Sequence, residues 1–268
     1  MSDHRQPPAR RLMTDVPHSA RVWNYLLGGK DNYPADAEAG EMILRAFPDI
    51  AGIARDQRAF LARAVSFLTG EGGIRQFLDI GTGLPTANNT HEVAQWRAPE
   101  SRIVYVDNDP LVLTHARALL TSTPEGACAY VEADVRDTDR VLEEAARTLD
   151  LHRPVGLTLL GIMGQLADDE DPWALVSRLM AALPSGSHLA LADGTDTSET
   201  LTRAIEAYNA HSANSYYLRS PDRIAAFFDG LELVEPGIIR TADWRPDPGL
   251  SGQDVPSSHV ISGVGRKP

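Results

Sequence analysis

Lysine and cysteine are nearly missing from this sequence. Lys30 and Lys267 are its only lysines, and arginine supplies the remaining positive charge, a bias of GC-rich coding sequences. Cys128 stands alone, which rules out an intrachain disulfide framework and a thiolate-built metal cluster and fits a reducing compartment. No His-x-x-x-His or cysteine–histidine arrangement suggests zinc, so no metal is expected. No run approaches the roughly 18 apolar residues that a membrane-spanning helix needs. Residues 1–11 are polar and proline-bearing and lack the apolar stretch of a signal peptide. Residues 1–13 therefore read as a flexible tail, and the protein as cytoplasmic. Net positive charge is also absent. A formal charge of -12 gives no long-range attraction to a phosphate backbone, so neither nucleic acid nor a membrane is an expected partner.

What is present is a core-forming composition: 43% apolar residues over 268 positions allow one large domain. The first third is helical in pattern. Ser19 can cap a short helix ending near Gly28-Gly29. A second helix is expected over 36–47, stopped by Pro48. A third follows, capped by Asp49, with Ile50, Ile53, Gln57, Phe60, Leu61, Ala64, Phe67 and Leu68 mostly on one face. Short apolar runs then appear at 76–80, 102–106, 127–133, 155–160 and 188–192. Helical patterns at 87–96, 110–120, 138–149 and 172–183 separate them. Strands alternating with helices predict a parallel sheet covered on both faces. Helices near 198–210 and 221–228 and two last strands at 231–236 and 258–264 complete the chain. Residues 245–256, rich in Pro, Gly and Asp, read as a loop.

Phe77-Leu78-Asp79-Ile80-Gly81-Thr82-Gly83 runs from a strand into a tight turn before a helix. Gly81 and Gly83 leave the backbone bare where nucleotides bind, at the carboxyl ends of parallel strands. Asp79 can accept from a cationic amino group. Asp107, ending the second strand, can take both ribose hydroxyls. Asp134, ending the third, can meet an adenine edge. Singly, each acid is as well explained by solvent or a helix cap; three successive strands each ending in an acid argue for a nucleotide site. Thr86 stands where a dinucleotide fingerprint has its third glycine, which counts against NAD. Lys30 is followed by Asp31 rather than Ser or Thr, so no P-loop is present.

These residues resemble the class I S-adenosylmethionine-dependent methyltransferases, although Pro85 stands where that family often has another glycine. Residues 17–33, from Pro17-His18-Ser19 through Gly28-Gly29-Lys30-Asp31-Asn32-Tyr33, are similar to the opening of an actinobacterial S-adenosyl methyltransferase family of unknown substrate. Val106-Asp107-Asn108-Asp109-Pro110, Tyr208-Asn209 and Tyr216 resemble it too, and the similarity runs from about Thr14 over nearly the whole chain. The resemblance implies a Rossmann-like α/β fold with a seven-stranded, mostly parallel sheet of order 3-2-1-4-5-7-6. It also implies an N-terminal helical cap over 14–72 on an S-adenosylmethionine-binding domain over 73–268. Asn108, Val135 and Gly161 join Asp79, Gly81, Gly83, Asp107 and Asp134 as expected cofactor contacts. The Asn/Asp-Pro-Pro-Tyr run of amino-methylating relatives is missing after the fourth strand, which disfavours methylation of nucleic-acid bases.

The cap carries a crowd of polar groups around Gly28-Gly29. We expect Tyr25, Lys30 and Asn32 to close over the cofactor, Tyr25 by stacking or hydrogen bonding and the other two by holding its carboxylate. A polar loop with Lys30 in solvent is the plain alternative. Candidates for a catalytic group are His18, His211 and Tyr216, and none is forced by the sequence. The acidic run 168–171 reads as a helix N-terminus. The expected function is methyl transfer to a small-molecule acceptor, an oxygen or carboxylate, by a monomer or homodimer. A silent protein that binds S-adenosylmethionine or S-adenosylhomocysteine is the alternative, and a nicotinamide oxidoreductase the remoter one.

Overall fold

The computed structural model describes residues 13–119, 121–212, 214–246 and 259–268. Residues 1–12 of the expected tail over 1–13, and most of the expected loop over 245–256, lie outside them. Five strands form the parallel part of one sheet: β1 (Gln76–Ile80), β2 (Arg102–Asp107), β3 (Ala127–Glu132), β4 (Gly156–Leu160) and β5 (His188–Gly194). Three more are antiparallel additions: β6 (Glu232–Leu233), β7 (Ile239–Arg240) and β8 (Val260–Arg266). The order is β3-β2-β1-β4-β5-β8-β6, with β7 also paired to β8. This is the expected order with β8 in the place of the seventh strand and β7 as an extra, two-residue strand. The run at 231–236 keeps only two strand residues, since Pro236 has no amide hydrogen to give a ladder.

Three helices precede the sheet: α1 (Ser19–Leu26), α2 (Pro34–Ala46) and α3 (Ile50–Gly70). Six follow within it: α4 (Thr90–Arg97), α5 (Pro110–Leu119), α6 (Thr138–Ala145), α7 (Pro172–Ala181), α8 (Glu199–Asn209) and α9 (Pro221–Ala225). The start of α1 is a correction: His18, not Ser19, is the cap, its Nδ1 accepting from the Ala20 amide at 3.4 Å. Ser19 instead donates its hydroxyl to Gln165 Oε1 at 3.1 Å. Asp49 precedes α3 in helical conformation and makes no side-chain cap. In the acidic run, Asp171 caps α7 by accepting from the Ala174 amide, which favours a helix N-terminus there.

Two apolar cores flank the sheet. One joins α1, α2, α3 and α8 to Phe77, Tyr105, Ala190 and Trp244. The other joins α6, α7 and α9 to Leu78, Val104, Leu157 and Leu189. Alternate residues of one strand thus serve opposite faces, as with Phe77 and Leu78.

The N-terminal helices are fixed to the strand tips by a buried charge cluster. Arg21 is 3% exposed and lies between Asp36 at 3.5 Å and Asp109 at 3.2 Å, both equally hidden. Its Nη2 donates to the Met13 carbonyl at 3.1 Å. Asp36 also accepts from the backbone amides of His18 and Tyr33, each at 2.8 Å, closing the start of α2. Asp109 stands two residues past the end of β2, so α1, α2 and the β2 tip meet at one guanidinium. Removing one partner of such a cluster leaves buried charge uncompensated. Arg21→Met should lower the unfolding free energy by about 3–5 kcal/mol. Urea denaturation measures it, and a loss below about 1 kcal/mol, the range of an exposed pair, would deny the cluster this role.

Candidate functional site

The order of strand addition reverses between the parallel strands β1 and β4: β2 and β3 lie on one side of β1, β4, β5 and β8 on the other. Such a switch point opens a crevice at the strand carboxyl ends. Here the crevice continues into a cavity bounded by Asp79, Gly81, Gly83, Asp107, Asp134 and Gly161 on the sheet side. Asn108 and Val135 line it as well.

The two glycines of the first turn are there for different reasons. Both have positive φ, 73° at Gly81 and 65° at Gly83, where a side chain is strained. A Cβ on Gly81 would also overlap the Ile162 side chain, which would have to shift. A Cβ on Gly83 would meet nothing within 4 Å. Only Gly83 therefore faces open space.

Asp79 is buried and already engaged. Its oxygens accept from Thr90 Oγ1 at 2.5 Å and Thr158 Oγ1 at 2.8 Å. Thr158 is its register partner on β4, so this contact follows from strand pairing. Burial raises its pKa, opposed by the two threonines and by the charge of Arg58. Asp107 accepts from the Gly83 amide at 2.9 Å and the Asp109 amide at 2.9 Å. Each oxygen keeps a second lone pair. Burial again raises the pKa, against those two amides and His18. Asp134 is half-exposed, accepts from the Arg136 side chain at 3.2 Å and from Asn108 Nδ2 at 3.4 Å.

Of the N-terminal site residues the sequence singled out, only His18 lines the cavity. His18, Val22, Trp23 and Leu26 line the cavity, together with Ser19 and Ala20. Tyr25 sits on the other side of α1, packed against Gly40, with its hydroxyl bonded to Glu41, which raises its pKa. Asn32 is a loop fastener: its Nδ2 donates to Asn24 Oδ1 at 3.0 Å and to the Gly29 carbonyl at 3.1 Å. Lys30 is exposed and does not reach the cavity. Tyr25, Lys30 and Asn32, expected at the cofactor, thus do not line the cavity. The polar crowd around the glycines is mostly a knot tied by the buried side chain of Asn24, which also accepts from the Asp31 amide at 3.1 Å.

The positive charge at this end comes instead from Arg58 on α3. It lines the cavity beside Asp79, and its Nη2 donates to the carbonyls of Ala87 and Asn88 at 3.2 and 3.3 Å. Its Nε is buried without a hydrogen-bond partner. Burial lowers its pKa, countered first by Asp79. Neighbouring Gln57 lines the cavity too. A glutamine among Ile50, Ile53, Phe60 and Leu61 on one helical stripe was the available signal for this part of the site.

Of the three catalytic candidates, His18 and Tyr216 line the cavity. His18 Nδ1 stands 3.3 Å from Asp109. His211 does not line it: the ring is exposed, with Nδ1 3.1 Å from the Ala207 carbonyl. Tyr216 bonds through its hydroxyl to Asp193, a residue at the end of β5 that sequence reasoning passed over. Asp193 is buried and also accepts from the Gly164 amide at 2.9 Å and the Gly194 amide at 3.2 Å. Burial pushes it from 3.8 up to about 6, against the pull of Tyr216, Arg219 and those two amides. Burial and the Asp193 charge hold the Tyr216 phenol well above its ordinary value, so it stays protonated.

With this geometry in place the chain can be compared with known proteins. A profile of the family described as S-adenosyl methyltransferase matches residues 5–268. The chain belongs to this family. It is similar to a DUF574 family protein from Streptomyces avermitilis, 47% identical over 96% of this chain and 100% of that one, with a TM-score of 0.92. A Thermobifida fusca protein, described as a proposed methyltransferase, is 39% identical over 95% of this chain and 96% of its own, with a TM-score of 0.88. The fold alone is shared with the N-methyltransferase NodS of Bradyrhizobium japonicum in its S-adenosylhomocysteine complex. That protein is 16% identical over 92% of this chain and 99% of its own, with a TM-score of 0.50. Among curated proteins none matches. The chain is thus an S-adenosylmethionine-dependent methyltransferase of the class I α/β fold with actinobacterial relatives. Among the described residues no helix is long and apolar enough to cross a membrane.

The residues suit that donor. A bare Gly83 faces the crevice, carboxylates end β2 and follow β3, and an arginine with a buried, unpartnered Nε stands at the first turn. The Asp193 carboxylate gives a pH signature. An acid whose pKa rises on folding stabilises the fold below its unfolded pKa and loses that contribution as pH climbs through the folded value. Relative to Asp193→Asn, the unaltered protein should lose about 3 kcal/mol of stability between about pH 4 and about 6. Urea denaturation of both proteins in pH steps reads this directly; parallel curves would remove the strained carboxylate from the account.

Proposed function

We infer that the protein methylates an oxygen of a small-molecule acceptor, using the Tyr216–Asp193 pair to receive the acceptor's proton. The observation that carries this is a buried carboxylate near pKa 6 hydrogen-bonded to a phenol on the cavity wall. S-adenosylmethionine supplies an electrophilic methyl group on a sulfonium. In our reading the Asp107 carboxylate and Asn108 hold the ribose, while Asp134 and Val135 face adenine. The backbone at Gly81 and Gly83, with Gly161, lies along the methionine part. Asp79 meets its amino group, and Arg58 meets its carboxylate, the task the sequence reading gave to Lys30 or Asn32.

At the acceptor end Tyr216 accepts from the acceptor hydroxyl and passes its own proton to Asp193. No charge is created on the phenol, which suits its raised pKa. At neutral pH Asp193 is ionised and ready to receive. His18 lines the same cavity and is the second candidate, tied to Asp109 rather than to an unengaged base. Residues 14–72 act in this reading as a cap that encloses the acceptor and excludes water, and the working compartment is the cytoplasm. A net charge of -12 argues against nucleic acid as the acceptor.

Calorimetry with S-adenosylhomocysteine, followed by incubation of metabolite extracts with methyl-labelled donor, tests the reading. Binding and a labelled small molecule are expected. Tyr216→Phe should keep the calorimetric affinity and lower turnover by about 100-fold, the lower range for a positioned acid or base. Binding without any labelled product would favour the silent alternative; affinity for NAD alone would favour the oxidoreductase.

A further inference from the structure

The cavity does not end at the donor crevice. It runs on between α1, α2, α3 and α8, where Leu26, Ile43, Ile50, Ile53, Leu201 and Ile205 line it. Protein interiors are close-packed and rarely leave voids larger than a water molecule. A hollow with apolar walls holds water poorly and takes apolar ligands. We propose that this chamber binds an uncharged, largely apolar acceptor whose hydroxyl reaches Tyr216.

The charge distribution around the cavity supports this choice over a carboxylate acceptor. The charged lining groups, Asp79, Asp107, Asp134, Arg58 and Arg136, all belong to the strand-tip end or are drawn towards it. Arg58 is held by the carbonyls of the 87–88 turn. Arg136 is held by Asp134, Glu170 and the Gln165 carbonyl. Beside Tyr216 the polar lining residues, Tyr208, Asn214 and Ser215, are uncharged; His18 on α1 also lines the cavity, and its Nδ1 is turned to Asp109 at 3.3 Å. An ionised acceptor there would lose its hydration with no cation to replace it. A neutral molecule with one hydroxyl loses little and gains the apolar walls. Asn209 fixes the Tyr216 backbone in both directions, accepting from its amide at 2.8 Å and donating to its carbonyl at 2.8 Å. The polar end of the chamber is therefore a fixed point towards which the acceptor hydroxyl is directed.

This inference rests on the methyltransferase reading for the word acceptor, but its test does not. The full-length protein is titrated with N-phenyl-1-naphthylamine, an uncharged fluorescent apolar probe, with and without saturating S-adenosylhomocysteine. The anion 1-naphthoate is titrated in parallel. The probe should bind one to one, survive S-adenosylhomocysteine with less than about a twofold change, and exceed the anion by at least about tenfold, a difference of about 1.4 kcal/mol. Ile205→Trp, which fills the chamber, should weaken the probe by about tenfold at an unchanged urea midpoint. No binding, displacement of the probe by S-adenosylhomocysteine, or equal affinity for the anion would each overturn the proposal. These outcomes are read on the unaltered protein, so they hold even if Ile205→Trp fails to fold. Failure of S-adenosylhomocysteine to bind would strike the donor reading instead, and the titration without it would still decide the chamber.

Discussion

A single guanidinium holds the cap and the crevice in register. Arg21 is buried between the carboxylates that begin α2 and follow β2, and burial weakens the screening of their charges. Charges hidden this way are costly unless they are met, so the three groups must find one another for the chain to fold. The consequence is geometric. α1 must cross the carboxyl end of the sheet at the β2 tip, which is where Asp107 stands two residues before Asp109. The same contact therefore stabilises the fold and closes the crevice. Arg21 lies within ion-pair distance of both acids, yet its Nε and Nη1 form no aligned hydrogen bond. The attraction here is carried by charge more than by directed bonding.

The sheet was legible because its signals are local. Each parallel strand is a short apolar run ending in a turn; Asp107 and Asp134 come directly after their runs, and Asp79 is one residue before the end of its run. The cap was legible as helices but not as a site. Its reading was drawn to the polar residues around Gly28-Gly29, and polarity there turned out to serve a loop knotted by Asn24. Helical periodicity carried better information. Positions 19, 22, 23 and 26 share one face, and that face lines the cavity; position 25 lies on another and packs on α2. Asp193 and Tyr216 lie 23 positions apart and meet only because α8 returns the chain to the β5 tip. No local pattern encodes that pairing, although an aspartate closing an otherwise apolar strand is a signal of the same kind as Asp107.

The two faces of the sheet solve different problems with similar residues. On one, α6, α7 and α9 pack against Leu78, Val104, Leu157 and Leu189. On the other, apolar side chains of α1, α2, α3 and α8 also form a core, yet several of them line the cavity as well. Leu26, Ile43, Ile50 and Ile53 belong to both descriptions. Burial from solvent and contact with a cavity are compatible because the cavity lies beneath the helices.

This dual use places a physical limit on the chamber. Close packing would stabilise the helices by dispersion and by removing void, so each unfilled contact weakens the cap. Something must hold the helices apart from the sheet against that collapse. The buried cluster at Arg21 does so for α1 and α2, since its charged groups need one another and fix the approach of both helices. Trp244 braces α3, set edge-on against Phe60 with ring centres 5.3 Å apart and fully buried. Arg63 adds a clamp there, donating to the carbonyls of Trp244 and Thr241, each at 2.7 Å. A hollow kept open between two rigid supports is preorganised. A ligand entering it need not reorder the helices first, and more of the free energy of burying the ligand's apolar surface remains for binding.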